Sequence, residues 1–403
     1  MARLPLILLC FAWAFSCASL PVSIAGSNLG WGLVVFALLS RLCFGRNIPW
    51  SRHHSAVEVP LLAYLTAAAL ACALGVLPRY SFSFLVKDAH KVWIYAVYSI
   101  GLAALIEEGP AAVWTVPVAL AAGLAVSATV GLWQTFSSAG PLWTRARGFM
   151  HPVTFGEQMA LGALGAFCYA ELSPRADRVR APAIALLALS SLALFFSQTR
   201  GAILALAAGF FAIACFAAPG RCQRRAAVAG VASLIATFAS DLLPTGRSLI
   251  ESISRQPAAA NPQLARWTLW KVSFRMFLNH PLFGVGINNY REQFTRYFSG
   301  TVDGEAAFGT AHNLYLHQTA ERGLVGAAAL AWLLIALWRR SLQRTRRTPD
   351  PVGIWAFGST AAFLAMNCTE VALQVEQLWM LFFLIWIFAE QRSQAVAPAQ
   401  AGA

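Results

Sequence analysis

The sequence predicts an all-α, polytopic integral membrane protein with about twelve membrane-crossing helices and one long outer segment that carries short helices of its own. Three observations predict it. Mean hydropathy is +0.60. Charged residues make up 12% of the chain and hydrophobic residues 58%, against roughly 25% charged in an average soluble domain. Apolar runs near the roughly 20 residues needed to cross a hydrocarbon core of about 30 Å recur along the whole chain.

Those runs cover approximately 4–24, 26–43, 57–77, 91–107, 112–134, 154–172, 181–198, 201–218, 226–243, 323–338, 353–370 and 375–390. They divide the chain into nine spans over 1–243, a long segment over 244–322, three spans over 323–390 and a tail over 391–403. The first run, MARLPLILLCFAWAFSCASL, places Arg3 before an apolar core and small residues near Ser16 to Ala18. That is also the outline of a cleaved signal peptide. Retained or cleaved, it leaves the downstream orientation unchanged.

Orientation follows from the arginines, because short loops rich in Lys and Arg are retained in the cytoplasm. Alternate loops carry Arg41, Arg46 and Arg52, then Arg175, Arg178 and Arg180, then Arg221, Arg224 and Arg225, then the run from Arg339 to Arg347. These loops face inward with both termini, and the short turn at Glu107 and Glu108 is the one inner loop without basic residues. Segment 244–322 then lies outside.

This assignment leaves an excess of positive charge on the outer side. The short outer loops hold Arg79, Lys87, Lys91, Arg145, Arg147 and Arg200 against the acid Asp88. The long segment adds Arg247, Arg255, Arg266, Lys271, Arg275, Arg291 and Arg296, offset by Glu251, Glu292, Asp303, Glu305 and Glu321. Most such charges are ordinary solvated loop residues. Arg200 is different, because in FFSQTRGAILAL it occupies a short break between two apolar helices. An arginine there belongs in the interface or in a wet cavity, and Gly201 beside it permits close backbone approach.

The eight cysteines form no CxxC or Cys/His metal spacing and none falls in 244–322. No GxxxxGK[ST] phosphate loop and no DxD motif of the sort that holds a nucleotide-sugar metal is present. No metal, cofactor or nucleic-acid partner is expected, and the leaving group must arrive with the substrate.

Within the outer segment, Asn261-Pro262 reads as a capped helix start and Asn279-His280-Pro281 as its end. Trp267, Trp270, Phe274, Phe277 and Leu278 recur at helical spacing, as in a helix lying on a membrane surface. LFGVGINNYREQF reads as a glycine turn into a second short helix, and SGTVDGEAAFGTAH as a loop of small residues. In FGTAHNLYLHQTAERG, His312, Leu316, Thr319 and Gly323 fall on one helical face, since eleven residues return to within about 20°. His317 lies about 140° away, which argues against a paired-histidine metal site.

Three outer features, in this order, resemble the bacterial O-antigen ligase and polymerase superfamily of polytopic membrane glycosyltransferases. They are SQTRGA with Arg200 and Gly201, NPQLARW with Arg266 followed by HPLFGVG, and HNLYLHQTAERG with His312, Asn313 and Gly323. WTRARGFMHPVTFGEQ, with Arg147, Gly148 and Pro152, is similar to the loop before the family's sixth span. The resemblance implies an undecaprenyl-diphosphate-linked glycan as donor, transfer at the periplasmic face of the bacterial inner membrane, and, for a ligase, the lipid A-core oligosaccharide as acceptor.

The residues suit that chemistry. A glycosyl diphosphate carries its own leaving group, so catalysis needs charge stabilisation on the diphosphate and a base for the acceptor hydroxyl. Arginine forks match phosphate oxygens bidentately, and a histidine with a pKa near 6.5 suits proton abstraction near neutrality. Arg200 and Arg266 are the candidates for the first role and His312 for the second. Arg147, Arg145, Asn313, Arg275 and Arg291 are candidate substrate contacts. Glu157, one turn into the sixth span, is read as an arginine partner at the site, with a base role as the alternative. Direct displacement by the acceptor oxygen would invert the anomeric centre. An O-antigen polymerase would share these motifs; a protein O-oligosaccharyltransferase or a transporter of lipid-linked sugars fits less well, the first for want of a larger outer domain and the second for want of repeated halves.

Two tests follow from the sequence. A cysteine placed at Ser299 should react with an impermeant thiol reagent in cells whose outer membrane has been permeabilised; labelling only after lysis would overturn the orientation. Transfer should proceed fully in chelator, and an activity lost in chelator and restored by magnesium or manganese would refute metal independence.

Overall fold

A computed structural model describes residues 4–49, 57–76, 81–137, 144–173, 176–217, 220–240, 262–302, 305–347 and 349–400. Arg52, Arg79, Arg175, Arg247, Glu251, Arg255, Asn261 and Asp303, on which parts of the reading above rest, lie outside the described residues. The described chain is helical, with a single isolated bridge between Val302 and Glu305.

In order the helices are α1 (Leu4–Ser19), α2 (Ile24–Cys43), α3 (Glu58–Leu74), α4 (Ser81–Glu107), the single turn α5 (Pro110–Val113), α6 (Thr115–Ser137), α7 (Pro152–Leu172), α8 (Ala176–Ser197) and α9 (Arg200–Ala212), which runs into a π turn at Ile213–Ala217. They continue with α10 (Gly220–Ala239), α11 (Pro262–Asn279), α12 (Tyr290–Tyr297), α13 (Leu314–Arg347), α14 (Pro351–Met366) and α15 (Glu376–Gln400). Each expected apolar run contains a helix, although the run 353–370 loses its last four residues to a turn after Met366. Six stretches are long and apolar enough to cross a membrane: Ile24–Cys43, Leu85–Glu107, Ala111–Ser137, Arg178–Ser197, Arg200–Ala217 and Leu314–Arg347. Three more apolar helices, Leu4–Ser19, Glu58–Leu74 and Pro351–Met366, are shorter.

The centre of the bundle is made by α7, α14 and α15. Every residue of α7 from Thr154 to Ala170 is buried, as is almost all of α14 and the stretch Leu378–Ala389 of α15. Small residues make the close approach possible. A β-carbon on Gly165 would lie 2.5 Å from the Trp355 ring, and that indole donates to Leu161 O at 2.8 Å.

Charges at one end of the bundle are paired. Arg41 at the end of α2 bonds Glu108 and reaches Glu107 Oε2 at 3.3 Å. That pairing explains how a turn with two acids and no basic residue sits beside an arginine-bearing loop.

Two expectations are corrected. Lys87, Asp88 and Lys91 are not loop charges, because α4 begins ten residues before the expected run. Asp88 and Lys91 are buried there. The Asp88 carboxylate receives Lys91 Nζ at 2.6 Å and Arg322 Nη2 at 2.6 Å, which makes burial tolerable.

The second correction concerns the eleven-residue spacing from His312 to Gly323. His312 precedes the first helical residue and has φ +45°, and α13 breaks at Gly323 with φ +61° and ψ −158°. No continuous helical face joins them. At the break the HPLFGVG turn replaces the missing helical bonds: Val285 and Gly286 N–H donate to Ala320 and Glu321 carbonyls at 2.9 Å each, and Leu324 N–H donates to Pro281 O at 2.7 Å. Only glycine fits on either side. A β-carbon on Gly323 would meet Leu282 backbone at 2.4 Å, and one on Gly284 (φ +69°) would meet Glu321 backbone at 2.3 Å.

Beneath this interlock the outer segment has a small core of its own. Leu269, Val272 and Met276 of α11 pack with Val285, Tyr290, Phe294 and Ala320. The opposite side of α11 leaves Trp267, Phe274 and Leu278 exposed, which agrees with an aromatic face turned to a membrane surface; Trp270 and Phe277 are half-buried instead.

Gly323→Ala should therefore both strain a backbone region that is essentially glycine-only and drive Leu282 away. We expect a loss of about 1–3 kcal/mol or more, read as a lower melting temperature in detergent. A variant melting with the wild type would show that the break tolerates a side chain.

Candidate functional site

The ends of α7, α9, α11, α13 and α14 meet at one end of the bundle, and Glu370 stands where they meet. It follows α14 in the turn Asn367–Glu370, which is tied to the start of α13: Leu314 N–H donates to Asn367 O at 2.9 Å and Glu370 O at 3.0 Å. Asn313 completes the junction. Its Oδ1 accepts from Leu316 N–H at 3.0 Å, capping α13, while its Nδ2 donates to Cys368 O at 3.0 Å.

These bonds leave His312 in a left-handed conformation that a non-glycine residue adopts at a cost of about 1–2 kcal/mol. Its ring is thereby placed with Nδ1 3.0 Å from Glu370 Oε2. Glu370 Oε1 accepts from Arg266 Nη2 at 3.2 Å. One carboxylate thus orients a histidine from α13 and an arginine from α11. An ionised carboxylate only accepts, so Nδ1 is the nitrogen that carries the proton in the neutral ring, and Nε2 is then the one with the free lone pair. With Arg266 44% exposed, its ion pair contributes about 1 kcal/mol or less; its consequence is position. The His312 side chain is 36% exposed, so a ligand can reach it.

Arg200 heads α9 next to the same turn. A β-carbon on Gly201 would lie 2.5 Å from Thr369 Oγ1, so the glycine is what lets α9 approach the residue before Glu370. The loop before α7 fixes the break that precedes Arg200. Ala146 N–H donates to Phe196 O at 3.0 Å, Arg145 Nε donates to Ser197 O at 2.8 Å and its Nη2 reaches Thr199 Oγ1 at 3.3 Å. Burial pulls the Arg145 guanidinium below the ordinary arginine value, and the nearby Glu370 charge opposes that shift.

The structure thus brings His312, Asn313, Arg266, Arg200 and Arg145 to one place, with Arg145 acting on backbone. Arg147 is exposed on the loop before α7. Glu157 is buried within range of the Glu370 charge, and its Oε1 has no hydrogen-bond partner among the described residues. Among the described residues no arginine forms an ion pair with it. Arg275 bonds Tyr297 O at 3.3 Å, joining α11 to the end of α12, and Arg291 is exposed on α12. Neither contacts His312, Arg266 or Glu370 among the described residues.

Sequence reasoning missed Glu370, which fell inside the expected span 353–370. Its signal was present: NCTE places an acid at the edge of an apolar helix, a costly position for a charge without a task. His317 was likewise read as a bystander. It is buried, with Nε2 3.4 Å from Glu321 Oε2 and its ring beside Tyr290.

No curated protein matches the chain. Residues 185–331 match a family model described as O-antigen ligase, a stretch that contains Arg200, Arg266 and His312 and stops before Glu370. Over residues 185–331 the chain is similar to the O-antigen ligase family.

Proposed function

We propose that the protein is an O-antigen ligase that transfers a glycan from undecaprenyl diphosphate to the lipid A-core oligosaccharide, at the periplasmic face of the bacterial inner membrane, within a bundle of about twelve spans. The observation that carries this reading is the Glu370 carboxylate holding His312 at 3.0 Å and Arg266 at 3.2 Å beside the arginine that heads α9.

His312 Nε2 takes the proton from the acceptor hydroxyl as that oxygen attacks the anomeric carbon. The bond from that carbon to the diphosphate oxygen breaks, and the electron pair leaves with the diphosphate. Arg200 and Arg266 receive the developing charge, with Arg147 on the exposed loop before α7 as a third candidate. The proton stays on the imidazole, and Glu370 balances the resulting imidazolium as a carboxylate does in other carboxylate–histidine pairs. Attack opposite the leaving group inverts the centre. The arginines supply the charge that a metal would otherwise supply.

The deciding experiment is transfer by purified, reconstituted protein from a lipid-diphosphate glycan to a choice of acceptors. Product on lipid A-core is expected; growth of the donor glycan instead would indicate a polymerase. His312→Ala should lower the rate by roughly 10²–10⁴-fold, and Glu370→Gln by a part of that range. A folded His312→Gln protein with near wild-type rate would rule out the base role. Arg200→Lys and Arg266→Lys should each cost activity because lysine keeps the charge and loses the fork, whereas Arg296→Lys, exposed on α12, should be silent. Equal tolerance at all three positions would mean that a diffuse positive field is enough.

A further inference from the structure

A second cleft, of about 560 Å³, opens between α6, α7 and α8 at the end of the bundle away from His312. Helix α7 connects the two ends. Its Pro152 O accepts from Thr199 Oγ1 at 3.0 Å, beside Arg200, whereas its Tyr169 lines the cleft about 25 Å further along the axis.

Missing side-chain volume makes the cleft. Ala121 and Ala125 of α6 face Gly162 and Ala166 of α7 across it. On α8 the lining residues Pro182, Ala185 and Leu189 fall within about 40° of Arg178 around the helix axis, and the stripe from Arg178 to Leu189 is about 16 Å long. That is half of a hydrocarbon core of about 30 Å. The cleft is therefore as deep as one leaflet, with an arginine at its mouth and apolar walls beneath.

The mouth specifies the rest of the occupant. Tyr169 is 8% exposed, with its ring 5.9 Å from Trp114 and 6.3 Å from Trp355, and its hydroxyl has no hydrogen-bond partner among the described residues. A buried hydroxyl left without a bond is costly, and an occupant that brings an acceptor oxygen removes the cost. Arg178 is exposed, and Arg392 of α15 lies within electrostatic range of the Tyr169 hydroxyl. Asp350 lies in the same range, but Arg344 already holds its carboxylate. Cations beside an apolar surface attract anionic lipid headgroups. We propose that this cleft seats one anionic phospholipid of the surrounding membrane, with its phosphate at Arg178, a headgroup or ester oxygen accepting from Tyr169, and an acyl chain lying along α8. The lipid fills a gap beside the helix that leads to the break before Arg200, so it braces α8 against α6 and α7. Nothing in this inference depends on the chemistry read at His312.

Binding and melting test it without turnover. In protein stripped of lipid in a neutral detergent, phosphatidylglycerol with long acyl chains should raise the melting temperature by about 2 °C or more and appear as one retained lipid per chain in native mass spectrometry. Phosphatidylcholine with the same chains should do so far less. Arg178→Gln should remove the difference between the two lipids. Tyr169→Phe, which keeps the ring and loses the donor, should weaken retention of phosphatidylglycerol. Ala185→Phe, on the exposed wall of the cleft, should abolish retention while melting like the wild type in lipid-free detergent; if it melts lower there, the exposed Arg178 variant decides alone. Equal stabilisation of the wild type by both lipids, or an undiminished preference for phosphatidylglycerol in Arg178→Gln, would reduce the cleft to ordinary contact with the bilayer and overturn the site. Displacement of bound phosphatidylglycerol by an equal concentration of polyprenyl phosphate would overturn it too, by assigning the cleft to a different lipid.

Discussion

A buried backbone N–H or C=O that loses its helical partner has to find another within the protein. The break in α13 meets this constraint with a second piece of chain. The turn Pro281–Gly286 gives its N–H groups to the carbonyls of the upper half-helix and takes the N–H of Leu324 from the lower half. Two glycines with positive φ, Gly284 and Gly323, make room for the two backbones to touch. Segment 281–286 is thereby fastened to the bundle one short helical stretch, Leu314–Arg322, away from the candidate site. Both the placement of α11, which carries Arg266, and the direction of the helix that follows His312 depend on it.

The same break organises the buried charges. Arg322, the residue before the break, reaches Asp88 on α4, and Glu321 accepts from Tyr290 N–H at 3.3 Å while facing His317. These groups rigidify the junction between α3, α4, α12 and α13. The groups around Glu370 are more accessible and hold their geometry through the Asn313 and Asn367 bonds. A rigid buried set therefore supports an open one. This division suits a site in which donors must be fixed in advance of a charged ligand.

Local information was enough for most of the fold and for the identity of several site residues. Apolar runs marked the helices, the Pro262 and Asn279-His280-Pro281 signals bounded α11, and the glycines of HPLFGVG marked a turn with positive φ. Arg200, Arg266 and His312 stood out because polar groups beside long apolar runs are costly. Tertiary structure alone decided which of them meet and through what. Glu370 lies 104 positions from Arg266 and 58 from His312, so no local pattern could pair them. It also decided that His312 sits outside the helix and that Gly323 breaks one, since both follow from hydrogen bonds to distant backbone at Asn367 and at Pro281–Gly286. Periodicity reports where a side chain points on an isolated helix. Where that helix stops is settled by the partner that takes over its unsatisfied backbone groups.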